Sequence, residues 1–219
     1  MQWDTQATIC AIASGPAAGA RGTIRISGPE SLSAAAGFFG LTPHTPLKSD
    51  PAGGESLRDC QLPTRQAGWL HLPPPLGTLP ASLWLWPTTR SYTGQPACEV
   101  HTLGCLPVLE SALEQLLTQG LARLAEPGEF TWRAFLAGRL DLTQCEAVLG
   151  VIHARGQRGL EVALEQLAGN LSTPLSRIRQ ELIELLADLE AGLDFVDQDI
   201  QFVPTAVLIA RLEQITTQI

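Results

Sequence analysis

The chain has 219 residues, 45% of them hydrophobic and 16% charged, and its 14 Lys and Arg against 22 Asp and Glu give a formal charge of −8. That length supports one large or two modest domains with a real core, and the acidic balance excludes the broad basic footprint that neutralises many phosphates at once, so RNA contact has to be local or come through a partner. Five cysteines without a CxxC pair suit buried thiols in a reducing cytosol, and with no leader-like opening and no apolar run of about 18 residues a soluble, cytoplasmic protein is expected.

Short β-type runs bounded by glycine and proline clusters dominate the first half, at residues 7–13, 23–27, 68–72, 82–86 and 97–102. Gly15 to Gly22 follows the first of them and leads into strand-like Thr23-Ile24-Arg25-Ile26, not into a helix, so a β connection is favoured over a phosphate-cradling loop. One helix opens at Pro29 with Glu30 in its first turn. A second opens at Pro107 and carries Leu109, Ala112, Leu113, Leu116 and Leu117 before Gly120. The stretch 41–65 has no period and reads as a long connection.

From about residue 126 the pattern turns helical. Phe130, Phe135, Leu136, Leu140 and Leu142 can supply a core face, Gly138 permits a helix end, and Asp141 with Gln144 is a capping-box start. Thr173-Pro174 opens an amphipathic run with Leu175, Ile178, Leu182, Leu185, Leu186 and Leu189 at three and four residue spacings. A last helix opens near Pro204, carries Val207, Leu208, Leu212, Ile215 and Ile219, and has no stop signal. The expected fold class is α+β: a mixed β-sheet domain with helices over residues 1–124, then an all-helical domain over 125–219.

Alternation in Thr23-Ile24-Arg25-Ile26-Ser27 puts the isoleucines on one face and Arg25 on the other, where it is either a plain exposed strand arginine or a ligand-facing one. In Cys98-Glu99-Val100-His101 the same rule places Glu99 and His101 together. A carboxylate there can accept two hydrogen bonds from an aminopyrimidine edge, and a solvated strand face is the alternative. Cys98, His101 and Cys105 have zinc-like spacing, but alternation sends Cys98 and His101 to opposite faces and no fourth ligand is near. Asp194, Asp197 and Asp199 suit a helix end better than a metal constellation. Lys48 is the only lysine and follows no glycine run, so these residues hold no Walker A motif.

The stretch Pro127-Gly128-Glu129-Phe130-Thr131-Trp132-Arg133-Ala134-Phe135-Leu136-Ala137-Gly138-Arg139-Leu140-Asp141-Leu142-Thr143-Gln144-Cys145-Glu146-Ala147 resembles the junction of the first two domains in the bacterial tRNA-modification GTPase family MnmE (TrmE), whose pattern runs roughly PGEFTxRAFLNGRLDLTQAEA. Asp4-Thr5, Gly22-Thr23-Ile24-Arg25-Ile26-Ser27-Gly28-Pro29, Arg90-Ser91-Tyr92-Thr93-Gly94, Glu99-Val100-His101 and Leu193-Asp194-Phe195 are similar to further family blocks, in family order.

The resemblance implies a folate-binding and dimerisation domain followed by the first part of a helical domain. It implies a 5-formyl-tetrahydrofolate ligand bordered by the 15–22 loop, with Arg25, Glu99 and Arg139 as its contacts. It also implies a homodimer acting with a flavoprotein (MnmG) on the wobble uridine of tRNA, which is met indirectly through the complex. The family's inserted GTPase domain and carboxy-terminal cysteine motif fall outside these residues, so no GTP, Mg²⁺ or K⁺ site and no GTPase activity are expected of them. Gln95-Pro96, Cys105 and Ala137 depart from the family pattern. Two alternatives stay open: a non-catalytic interaction module or truncated gene product, and a folate-dependent one-carbon transferase.

Overall fold

A computed structural model describes residues 4–15, 19–41, 62–194 and 203–218. Lys48, Asp197, Asp199, Ile219 and most of the 41–65 connection lie outside the described residues. The chain divides into two units, Met1–Leu140 and Asp141–Ile219.

In the first unit the isoleucine alternation organises the layers. Strands β1 (Ile9–Ile12), β2 (Gly19–Ser27), β3 (Phe39–Gly40), β4 (Thr64–His71), β5 (Thr78–Trp86), β6 (Ala97–Gly104) and β7 (Arg123–Leu124) form one sheet in the order β3-β4-β5-β6-β2-β1-β7. All neighbours are antiparallel except β1 and β7, so the sheet is mixed as expected. One face carries Ile24, Ile26, Leu83, Leu85, Cys98 and Val100, all fully buried beneath helices α1 (Ser31–Ala36) and α2 (Leu106–Thr118). Helix α2 turns Leu109, Ala112 and Leu116 into this core, and each such leucine contributes about 1.5–3 kcal/mol of burial.

The strands β4 and β5 start earlier than their hydrophobic runs. The first half of β5, with Pro80, pairs only with β4, because β6 joins β5 from Ser82 onward. There a proline that cannot donate to a second neighbour is tolerated.

Helix α3 (Glu129–Leu136) belongs to this first unit, so the division falls after Leu140 instead of at the expected 124/125 boundary. Its side chains reverse the expected core face. Glu129, Arg133 and Ala134 are buried, while Phe135 and Leu136 are exposed and Phe130 and Leu140 are half-buried. The reason is a buried ion network. The Glu129 carboxylate accepts from both terminal nitrogens of Arg123 at 2.8 and 2.7 Å, from Arg133 Nη2 at 2.8 Å and from the Glu126 N–H at 3.0 Å. Arg133 further donates to the carbonyls of Asp4 and Ala7. These bonds tie α3 to the start of the chain and to β7. Gly138, at φ +66°, closes the helix: its N–H reaches the Phe135 carbonyl and the Arg139 N–H the Ala134 carbonyl, both at 2.9 Å, the paired bonds of a Schellman end.

The second unit is helical: α4 (Leu142–His153), α5 (Gln157–Leu167), α6 (Ser172–Asp194) and α7 (Thr205–Thr217). The capping box is present, with the Gln144 N–H donating to Asp141 Oδ1 at 2.8 Å and the Asp141 N–H to Gln144 Oε1 at 3.0 Å. Gln144 to the Leu167 carbonyl and Gln166 to the Thr143 carbonyl join the start of α4 to the end of α5, so the two run antiparallel. Arg211 to Asp188 and Gln218 to Glu181 do the same for α6 and α7. Of the expected α6 stripe only Ile178 and Leu185 are buried, and Leu175, Leu182, Leu186 and Leu189 are exposed. Among the described residues no helix is long and apolar enough to cross a membrane.

Candidate functional site

The other face of the sheet is polar. Strand pairing lays one row of residues across it, Arg65, Trp84, Glu99, Arg25 and Ala11, each directly opposite the next on neighbouring strands. A second row holds Ser82, His101 and Thr23. The sequence put Arg25, Glu99 and His101 on this face, and the structure brings all three into direct contact.

Arg25 Nε donates to Glu99 Oε1 at 2.8 Å, and His101 Nε2 meets Glu99 Oε2 at 3.0 Å. Behind the imidazole, Nδ1 lies 3.2 Å from Thr23 Oγ1, and its ring centroid is 5.5 Å from that of Trp84. The carboxylate is thus held at both oxygens on an otherwise open face, with 17% of the Glu99 side chain exposed against 36% of Arg25. The guanidinium of Arg25 also lies over two aromatic rings, Tyr92 and Phe130, at 5.7 Å to each centroid. Tyr92 OH is 3.2 Å from Thr131 Oγ1, which links the two ring-bearing segments. Sequence reasoning missed this pair of rings. Tyr92 stands inside the Ser-Tyr-Thr-Gly block, and the apolar pattern alone assigns Phe130 to a core face.

The segment 87–96 that carries Tyr92 is clamped by α3 and the turn after it. Arg139 Nη2 donates to the Thr89 carbonyl at 2.6 Å, and Gln95 accepts from Arg133 Nη1 at 2.8 Å while donating to the Thr5 carbonyl at 2.7 Å. The amide at position 95 therefore serves two partners of opposite kind, which a carboxylate cannot. Gly94, at φ +72°, packs so closely that a Cβ there would stand 2.5 Å from the Ala137 Cβ. Ser27 Oγ and Thr93 Oγ1, 2.6 Å apart, complete the junction. Arg139 is exposed and, among the described residues, is hydrogen-bonded to this loop and not to Glu99.

Electrostatics separate the site from its support. Burial alone raises the Glu129 carboxyl, but the bonds from Arg123, the Glu126 N–H and Arg133 overcome it and hold the group down at about 2. Arg123 is raised in return by its bond to Glu129. Cys98 lies in the core, its thiol donating to the Ser31 carbonyl at 3.3 Å and pushed up by burial and then by the Glu99 charge, whereas His101 faces the opposite side of the sheet and Cys105 is exposed. Burial likewise pushes the Cys10 thiol up to about 11.

A mixed sheet with one helix-covered face, a polar face that gathers carboxylate, guanidinium, imidazole and aromatic rings, and a separate helical unit define an α+β protein. Residues 8–139 match the family described as GTP-binding protein TrmE N-terminus, and residues 142–219 match the MnmE helical domain. The chain belongs to the MnmE (TrmE) family of tRNA modification GTPases. It is 49% identical over 208 residues to the tRNA modification GTPase MnmE of Rhodopirellula baltica, covering 95% of this chain and 42% of that protein. It is 39% identical to that of Synechococcus sp. strain JA-3-3Ab, covering 96% of this chain and 43% of the relative, and 36% identical to that of Heliobacterium modesticaldum, covering 97% and 43%. The chain therefore spans less than half the length of the curated relatives it matches.

Proposed function

We propose that the sheet unit, taken as residues 1–140, binds a 5-formyl-tetrahydrofolate-type ligand on its polar face. Glu99 accepts from the aminopyrimidine edge of the ring, and Arg25 and Arg139 supply positive charge. As part of a homodimer, beside a flavoprotein of the MnmG type, it serves in the cytoplasm in modification of the wobble uridine of tRNA. The carboxylate of Glu99, held at both oxygens and paired with an Arg25 guanidinium that lies over two aromatic rings, carries this reading. A flat, donor-edged heterocycle is the ligand class such a group recognises. Hydrolysis of GTP is not assigned to these residues, since Lys48, the sole lysine, follows no glycine run.

Calorimetric titration of the whole chain with 5-formyl-tetrahydrofolate tests the reading. Glu99→Gln is expected to lose roughly tenfold or more in affinity, the worth of a charged hydrogen bond. No binding by folded wild-type protein overturns it. Light scattering tests the dimer independently.

A further inference from the structure

Within the protein alone both oxygens of Glu99 are engaged, Oε1 by Arg25 and Oε2 by His101. A guanidinium is a planar group whose neighbouring N–H bonds point the same way, and the aminopyrimidine edge of a pterin offers a carboxylate the same donor pattern. Arg25 also lies over the Tyr92 and Phe130 rings, the faces on which a flat heterocycle stacks. Arg25 thus holds both the partner and the place that the ring of the ligand requires.

The two partners of Glu99 differ in how firmly they are held. His101 is fixed from behind by Thr23 and lies against Trp84. Arg25 is 36% exposed, and among the described residues only its Nε is hydrogen-bonded, which leaves both terminal amino groups available. Arg25 is the partner able to leave.

Resting on the folate reading above, we infer that Arg25 is a specificity-determining residue that exchanges partners: a pterin ring displaces its guanidinium from Glu99 and the two aromatic rings, and the guanidinium then pairs with the anionic tail of the ligand. No covalent bond is made or broken. For a ligand with a carboxylate tail, one carboxylate–guanidinium pair is replaced by another. A bare pterin instead leaves Arg25 without an anion, so the site selects tailed pterins over bare ones.

Anaerobic calorimetry of the whole chain with 5-formyl-tetrahydrofolate and with tetrahydropterin, which has the ring without the tail, tests the exchange. Arg25→Ala is expected to bind tetrahydropterin roughly fivefold more tightly than wild type, because an exposed ion pair no longer competes, and to bind the tailed ligand no more tightly. Arg25→Gln, which removes the charge but keeps a polar side chain, has to narrow the preference between the two ligands in the same direction. If both variants weaken both ligands by one common factor, Arg25 is a simple ring contact and the exchange is overturned while the folate reading stands. If folded wild-type protein binds neither ligand, both are overturned.

Discussion

Replacing Glu129 by glutamine tests whether the buried ion network anchors α3. The carboxylate receives four hydrogen bonds, and its buried partner Arg133 is only 2% exposed. In Glu129→Gln an NH₂ group faces donors that previously met an anion, and Arg133 keeps only neutral acceptors at Asp4, Ala7 and Gln95. Removing one partner of a buried pair costs about 3–5 kcal/mol. A carboxyl lowered from 4.5 to about 2 gives a similar figure, about 3 kcal/mol at 1.36 kcal/mol for each tenfold change in acidity. All five tryptophans lie in the first unit, so their fluorescence follows that unit alone. With a urea dependence of about 2 kcal/mol per molar, the midpoint is expected to fall by about 1.5–2.5 M. A midpoint within about 0.3 M of wild type would refute the role given to the network.

The same network fixes an acid limb. A carboxyl whose folded value lies below its unfolded one contributes stability that is complete above about 4.5 and lost as pH falls toward about 2; urea midpoints measured across that window should decline in wild type and stay flatter in Glu129→Gln. Gly94→Ala forces a Cβ into Ala137 at a positive φ, and a loss of roughly 1–3 kcal/mol is expected in the tryptophan-monitored melt; Gly94→Ala with Ala137→Gly should recover only the steric part. Native alkylation followed by mass spectrometry should modify Cys105 while sparing Cys10 and Cys98, whose thiols are buried and pushed up.

Much of the sheet was legible because period-two alternation survives wherever one face is covered: Ile24 and Ile26 against Arg25, and Cys98 and Val100 against Glu99 and His101. The strands β3 and β7 have two residues each, too short to show a period. Helix α3 misled because a buried Glu129–Arg133 pair at four-residue spacing is indistinguishable, in sequence, from a surface salt bridge. What buries it is Arg123 and the amino-terminal carbonyls, and no local pattern signals them. The stripe of α6 showed the helix correctly but not which of its leucines would be covered. For the site, alternation located Glu99 and His101 together, yet the Tyr92 and Phe130 rings meet Arg25 only through tertiary folding. Arg139 donates to the Thr89 carbonyl, a contact between distant segments that no local pattern signals.

Arg25 and Glu99 lie 74 residues apart and become neighbours only where β2 meets β6. On one side of that seam β1 and β2 form a hairpin, on the other β4, β5 and β6 form a meander, and both arise from pairings closer in sequence. Joining them requires a longer loop closure than either, which costs more chain entropy. The site exists only once the seam has shut. A ligand that gripped both strands would act as a clasp on that seam, stabilising the native state as its concentration rises, and its arrival should be felt first as slower amide exchange along β2 and β6.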